Sequence, residues 1–467
     1  MARLLHGVSP FVKAYMNIDE LAHKPVGRLL WQYSLPAVVG MLVNALYNIV
    51  DRIYIGQGVG PEAISGLAIT FPVMNLVAAM GVLIGAGASA RTSIALGAGN
   101  RRAAEVILGN SLILTLVIGT AYVLVFEAFL DQILTAFGAT AVTLPYAREF
   151  MLWIMPGLVI TNICFSFNNI MRASGYPTRA MVTMILGAGL NIAIAPIFIF
   201  WLDLGIKGAA IANDISMTVS AAFVMWHFLQ KGSTLHFTAG TYRPRPRVIW
   251  SIISIGAAPS LVNAAACLIN MTVNVSLIAY GTDLDVGAAG IFITYTAVIV
   301  NVLIGINLGM QPIVGYNYGA GQLHRLRRTF LLACCAASAI CIAGCLFGIL
   351  FPRLIAATFT TDSHLIDITA RGLSIALVMF WVVGFQVTAT GFFQSIGRAA
   401  ESIILSLCRQ IIFMYPLLKL LPPYFGIDGV WMSFPISDAL ATIVTAAMIV
   451  WQFTKINRLT PAKQPAS

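Results

Sequence analysis

The sequence predicts an all-α membrane protein: twelve transmembrane helices in two six-helix bundles, related by a pseudo-two-fold axis along the membrane normal. Three observations predict it. Of the 467 residues, 59% are hydrophobic and only 9% are charged, whereas a soluble domain carries about 25% charged residues. The chain divides at Gly, Pro and charge into twelve apolar stretches, each near the roughly 20 residues that cross a bilayer. The second half also repeats the first.

The elements follow in order. Residues 1–28 have no continuous apolar core and no small-residue cleavage site, so they read as an amphipathic cytoplasmic lead-in and not a signal peptide. The predicted spans are 29–55, 63–90, 106–127, 146–171, 179–201 and 206–228, then 249–279, 287–314, 329–351, 370–396, 400–421 and 427–453. The first six form an N-terminal bundle over 29–228 and the last six a C-terminal bundle over 249–453. Between them, 229–248 reads as an exposed cytoplasmic linker from its Gly, Pro and Arg content. Residues 454–467 form a cytoplasmic tail.

Charge tests the count. One set of alternate loops, with both termini, holds 20 of the 27 Lys and Arg; the opposite set holds 5. The other two, Arg52 and Arg409, fall inside spans. This positive-inside bias places both termini in the cytoplasm, as an even number of spans requires. It points to the cytoplasmic membrane of a bacterium. The net charge of +10 is spread among loops, with no basic stripe for nucleic acid. The seven cysteines lie in apolar segments, without the spacing of a metal site or disulfide framework. Six scattered histidines, with no nucleophile elbow or P-loop, argue against an enzyme and against a bound cofactor.

The repeat has an offset near 222. "LGAGNRRAAE" from Leu96 matches "YGAGQLHRLR" from Tyr318, and "IMRASG" from Ile170 matches "FFQSIG" from Phe392. "GIKGAAIANDIS" from Gly205 matches "GIDGVWMSFPIS" from Gly426, and "YSLPAVV" around Pro36 matches "GAAPSLV" around Pro259. Six spans per half make both halves enter from the same side, a transporter arrangement with its cavity between the bundles. Alternating access would then be rocking of one bundle against the other.

The loops "ASARTSIALGAGNRRAA" and "QPIVGYNYGAGQLHRLRR" resemble the paired loop signatures of MATE (multidrug and toxic compound extrusion) transporters. So do "NNIMRASGYPTRAM" with "GAGLNIAIAPIFIF", and "FFQSIGRAAESIILSLCRQ" with "GIDGVWMSFPISD". The resemblance spans roughly residues 25–455. It implies a V-shaped pair of bundles that exports bulky organic cations or amphipathic drugs in exchange for H+ or Na+.

Three of the 17 acidic residues fall inside spans: Asp51, Asp214 and Asp438. An aspartate at the centre of a membrane helix is disfavoured by about 3 kcal/mol, so such a residue is a functional candidate. Asp51 ends a stripe of Asn44, Tyr47, Asn48 and Asp51 at three- and four-residue spacing, one helix face. Two readings compete: a polar pair with Arg52 at the outer mouth, or a wall of a water-filled cavity. Similarity to the family favours the cavity, because relatives carry a functional Asp at the matching "YNxxD" position. The equivalent residue of the second half is Asn274, so the coupling site belongs to the first half.

The resemblance adds further residues to that site. The family's span 4 Asn falls on Asn168 and its span 5 Asn on Asn191. Its span 5 Asp, in the pattern "LNxxxDP", falls on Ala195, so that carboxylate is missing. Its span 6 hydroxyl position falls on Asn213, and the adjacent Asp214 either supplies a second carboxylate or faces a neighbouring helix, about 100° away from Asn213. Asp438 either pairs with Arg409 or contacts a cationic drug.

A carboxyl group in a partly dry cavity takes up a proton more readily than one in water, and its protonation would shift the inward–outward balance. Sodium is the rival ion, held by oxygens of Asp51, Asn168, Asn191 and Asp214. Loss of the Ala195 carboxylate weakens such a cage, so H+ is favoured. A flippase of lipid-linked precursors, from the same broader superfamily, is the alternative function; it would need cavity Lys or Arg for pyrophosphate. The expected partners are organic cations or amphipathic drugs and the lipid bilayer, with the protein a monomer.

Overall fold

The computed structural model describes residues 18–459, apart from 60, 138, 141, 231 and 239. It is helical throughout, with no strand among the described residues. The helices are α1 Val26–Gly58, α2 Pro61–Gly97, α3 Arg101–Ala128, α4 Leu144–Ala173, α5 Pro177–Pro196 and α6 Gly205–Leu229. The second half has α7 Pro246–Tyr280, α8 Asp283–Gly319 and α9 Leu323–Leu350. Two segments form α10, Ser363–Ala376 and Val383–Ser395, bent by 55°. Then α11 starts at Ala399–Leu407 and continues through a π-helical turn, Cys408–Met414, and α12 is Ile427–Leu459. Eleven of these are long and apolar enough to cross a membrane, and the bent α10 makes twelve.

The repeated sequence motifs are turns that only glycine fits well. Backbone φ is positive at Gly99 and Gly321, at Gly175 and Gly397, and at Gly205 and Gly426. Each pair is separated by 221 or 222 residues, and each stops or starts a helix in a region where a Cβ is strained. The sequence repeat is therefore a repeat of helix punctuation. Asn100 adds a cap, its side chain accepting from the Ala103 amide at 2.9 Å.

Packing obeys the same two-fold relation. Within the first bundle α1 packs on α5, α5 on α6, α6 on α4 and α4 on α2; in the second, α7 packs on α11, α11 on α12, α12 on α10 and α10 on α8. Between bundles, α1 packs on α8 as α7 packs on α2. The axis itself passes through Ser89 and Gln311, equivalent residues that touch: the Ser89 hydroxyl donates to Gln311 Oε1 at 3.3 Å.

These cross-bundle contacts lie at one end. Call the end where α1 begins and where 230–245 joins the bundles the linker face, and the opposite end the far face. A Cβ on Gly97 would strike the Tyr316 backbone, and one on the equivalent Gly319 would strike the Ile94 backbone. Gly87 lies against Ile252, and Gly309 against Ser34. Inside lipid, close approach through small residues is what holds helices together. Further along, Leu46 and Ile49 of α1 and Met271 and Val275 of α7 are exposed. The bundles thus close at the linker face and diverge toward the far face.

One expectation is corrected here. The linker is exposed only in part: Leu235 and Thr241 are fully buried, and Phe237 packs edge-on to Phe228 and stacks on Tyr242, while 242–247 are exposed. Its Gly, Pro and Arg content concealed this apolar anchor. Most of the expected lead-in, 1–17, and the tail beyond 459 lie outside the described residues.

Candidate functional site

Two apolar clusters fill the first bundle. The larger runs through Phe167, Ile170 and Phe228 and continues into the second bundle. The smaller, at the far face, joins Ile55, Val77, Met151, Ile199 and Ala209. A polar layer lies between them on α1, α4, α5 and α6, and Asp51 belongs to it.

At about 1.5 Å per residue, Asp51 is roughly 10 Å from the far end of α1, and Asn213 about 12 Å from the far end of α6. The levels match, and the two helices touch. The Tyr47 hydroxyl donates to Asn213 Oδ1 at 2.6 Å, and it lies within electrostatic reach of both Asp51 and Asp214. One oxygen of each carboxylate, Asp51 Oδ1 and Asp214 Oδ1, is buried without a hydrogen-bond partner. Asn191 on α5 is buried nearby in level, its Nδ2 also unpartnered. Buried polar atoms are ordinarily satisfied, so these three helices, α1, α5 and α6, present an underused set of donors and acceptors. Arg52 is exposed and within electrostatic reach of Asp51.

Asp214 takes the second of the two directions open to it. Its carboxylate rests on Gly157 of α4, where a Cβ would occupy its place. Helices α1, α5, α6, α4 and α2 form a ring, so Asp51 stands on the helix that faces the other bundle and Asp214 at the opposite α4–α6 seam. A cavity of about 320 Å³ opens beside it, lined by Trp153, Ile211, Thr218 and Val219.

Other expected members are elsewhere. Asn168 is near the linker face, five residues from the end of α4: its amide donates to the Ala180 carbonyl at 2.7 Å and its oxygen accepts from Arg172 at 2.9 Å. Chain spacing matched the residue type, but a helix level is not visible in spacing. Asn48 is exposed and its amide turns back to the Asn44 carbonyl at 2.7 Å, so the expected stripe splits, with Tyr47 alone bonded to α6. Asn274 is exposed on α7. Ala195, at the position of the family's carboxylate, is packed in the far apolar cluster with Ile55.

Asp438 pairs with Arg409: Nε lies 2.6 Å from Oδ1, and Asp438 is 1% exposed. Gln386 donates to the Asp438 carbonyl at 2.7 Å, and the π-helical turn of α11 carries Arg409.

Two buried polar residues were not anticipated. Arg172 is buried at the linker face, its guanidinium donating to Asn168 and Asn169. Asn162 is buried one and a half turns before Asn168, donating to the Tyr122 hydroxyl at 2.9 Å. A count of Asn on α4 would have offered it beside Asn168.

A two-fold-related pair of six-helix membrane bundles, diverging on one side of a closed seam, with buried acids inside, defines a membrane transporter. The MatE family model matches residues 36–197 and 259–418, and the chain belongs to that family. It is 25% identical over 428 residues to the multidrug export protein MepA of Staphylococcus aureus (strain NCTC 8325 / PS 47), covering 91% of this chain and 93% of that one. It is also 26% identical over 433 residues to an FAD transporter of Shewanella oneidensis, covering 91% and 94%. Among solved structures, an outward-facing multidrug resistance MATE family transporter of the MOP superfamily superposes with a TM-score of 0.88 at 26% identity, covering 94% of this chain and 98% of that one.

Proposed function

We propose that this protein exports bulky cationic or amphipathic compounds across a bacterial cytoplasmic membrane by alternating access, as a monomer, in exchange for protons taken up by Asp51. The carrying observation is the Asp51 carboxylate: the residue is half-buried, one oxygen is buried without a partner, and it stands on a helix that faces the other bundle. A carboxylate with an unpartnered oxygen attracts organic cations, and the same group exchanges a proton. Binding of one would then oppose binding of the other, which is the requirement for exchange.

Positive-inside bias supports a cytoplasmic linker face, so the cleft of this structure faces outward. The proton reading over sodium is supported by ligand geometry. Asn168 is bonded near the linker face, and Ala195 offers no oxygen, so the expected four-oxygen cage does not converge. Asp214 joins the site through Tyr47 and Asn213 as a second acid on its far wall. The flippase alternative loses ground because only two basic residues, Arg52 and Arg409, fall inside the predicted spans, and Arg409 is paired with Asp438.

Drug-driven proton movement in proteoliposomes, with and without sodium, tests this. Wild type is expected to exchange without sodium, and Asp51→Asn to lose exchange. Intact sodium-independent exchange in Asp51→Asn would overturn the proposal. Wild-type behaviour of Asp214→Asn would remove Asp214 from it.

A further inference from the structure

We propose that Arg243, Arg245 and Arg247, at the start of α7, form a docking platform for the phosphate of an anionic phospholipid. The segment reads "TYRPRPRVIW", from Thr241 to Trp250. All three arginines are exposed, and no carboxylate pairs with them among the described residues.

What sets this segment apart from scattered loop charge is its backbone. Pro244 and Pro246 have no N–H and favour extended conformations before them; Arg245 is extended, at φ −117° and ψ 104°. The fully buried Asn110 of α3 then grips the segment. Its Oδ1 accepts from the Arg245 amide at 2.7 Å, and its Nδ2 lies 3.3 Å from the carbonyls of both Thr241 and Arg243. Gly109 beside it has no side chain, and a Cβ there would strike the Thr241 carbonyl. The segment is thus seated directly on α3, its backbone groups used inward and its guanidinium groups left outward.

The surroundings place those groups at a bilayer surface. Trp250, one turn into α7, is 71% exposed, and Tyr242, stacked on the buried linker anchor Phe237, is 45% exposed. Amphipathic rings at a helix end sit at headgroup level. Guanidinium binds phosphate with two parallel hydrogen bonds. Basic residues beside a membrane helix recruit anionic lipid. The exposed arginines Arg353 and Arg371 face Asp367 and Asp428, whereas none of the three arginines of this segment faces a carboxylate among the described residues.

Native mass spectrometry of the full chain, released from bilayers of equal phosphatidylglycerol and phosphatidylcholine, tests the platform. Wild type is expected to retain phosphatidylglycerol preferentially. At about fivefold per arginine, the triple variant Arg243→Gln, Arg245→Gln, Arg247→Gln should lower that preference on the order of a hundredfold. Asn110→Ala keeps all three charges but frees their backbone, and should lower it by a smaller factor. Arg353→Gln with Arg371→Gln should leave it unchanged. Unchanged preference in the triple variant, or an equal loss in the Arg353/Arg371 pair, overturns the proposal. Neither outcome depends on drug export or on Asp51.

Discussion

The two bundles share one fold but keep their buried acids differently. In the C-terminal bundle Asp438 is held by Arg409 at 2.6 Å, its charge balanced within the protein. In the N-terminal bundle Asp51 and Asp214 each keep a buried oxygen without a partner. A carboxylate committed to a guanidinium has little reason to accept a proton or a foreign cation. One that is only partly satisfied can accept either. The fold repeats, whereas the chemistry does not: the positions equivalent to Arg409 and Asp438, at offsets of 222 and 221, are Gly187 and Met217, which carry no charge.

The comparison predicts opposite responses to the same chemical change. Arg409→Gln leaves a buried carboxylate unpaired, at an expected loss of about 3–5 kcal/mol in stability, read as a lower thermal unfolding midpoint in detergent. Replacing both, with Arg409→Met and Asp438→Leu, should recover most of that loss, because an apolar pair of similar volume restores packing. Asp51→Asn should leave stability near wild type while exchange is lost. Equal destabilisation by Asp51→Asn and Arg409→Gln would erase the distinction between the bundles.

A smaller effect probes Asp214. Gly157→Ala puts a methyl group where the carboxylate rests. Overpacking of this kind costs about 1–3 kcal/mol. If Asp214 works in exchange, drug-driven proton movement should fall in Gly157→Ala beyond the fall in amount of folded protein. Unchanged exchange per folded molecule would make the α4–α6 seam a packing feature alone.

Much of this was legible in the chain because a bilayer leaves few options. Every span had to be apolar, helical and near 20 residues, so all twelve could be read, and charges inside them stood out. The Arg409–Asp438 pair followed from two opposite charges in adjacent spans. Direction and depth were not legible. Asn168 has the right residue type but lies a full helix end away from Asp51. Asp214 differs from Asn213 by 100° of rotation, which sequence cannot resolve into front wall or back seam. The docked linker was hidden because two apolar anchors, Leu235 and Phe237, sit among residues of loop composition.

The finest test lies on the bond between the two helices that carry the acids of the N-terminal bundle. Tyr47 donates to Asn213 at 2.6 Å and stands between Asp51 and Asp214. Tyr47→Phe keeps the ring and removes the donor, at an expected cost of about 1 kcal/mol. That leaves Asn213 Oδ1 without its donor from α1, uncoupling the back seam from α1. If the acids act together, Tyr47→Phe should lower exchange in the Asp214-containing protein yet add little to Asp214→Asn, a non-additivity a double-mutant cycle detects. Strict additivity would mean that Asp51 works without its neighbour, and the site would then reduce to a single carboxylate on the helix facing the other bundle.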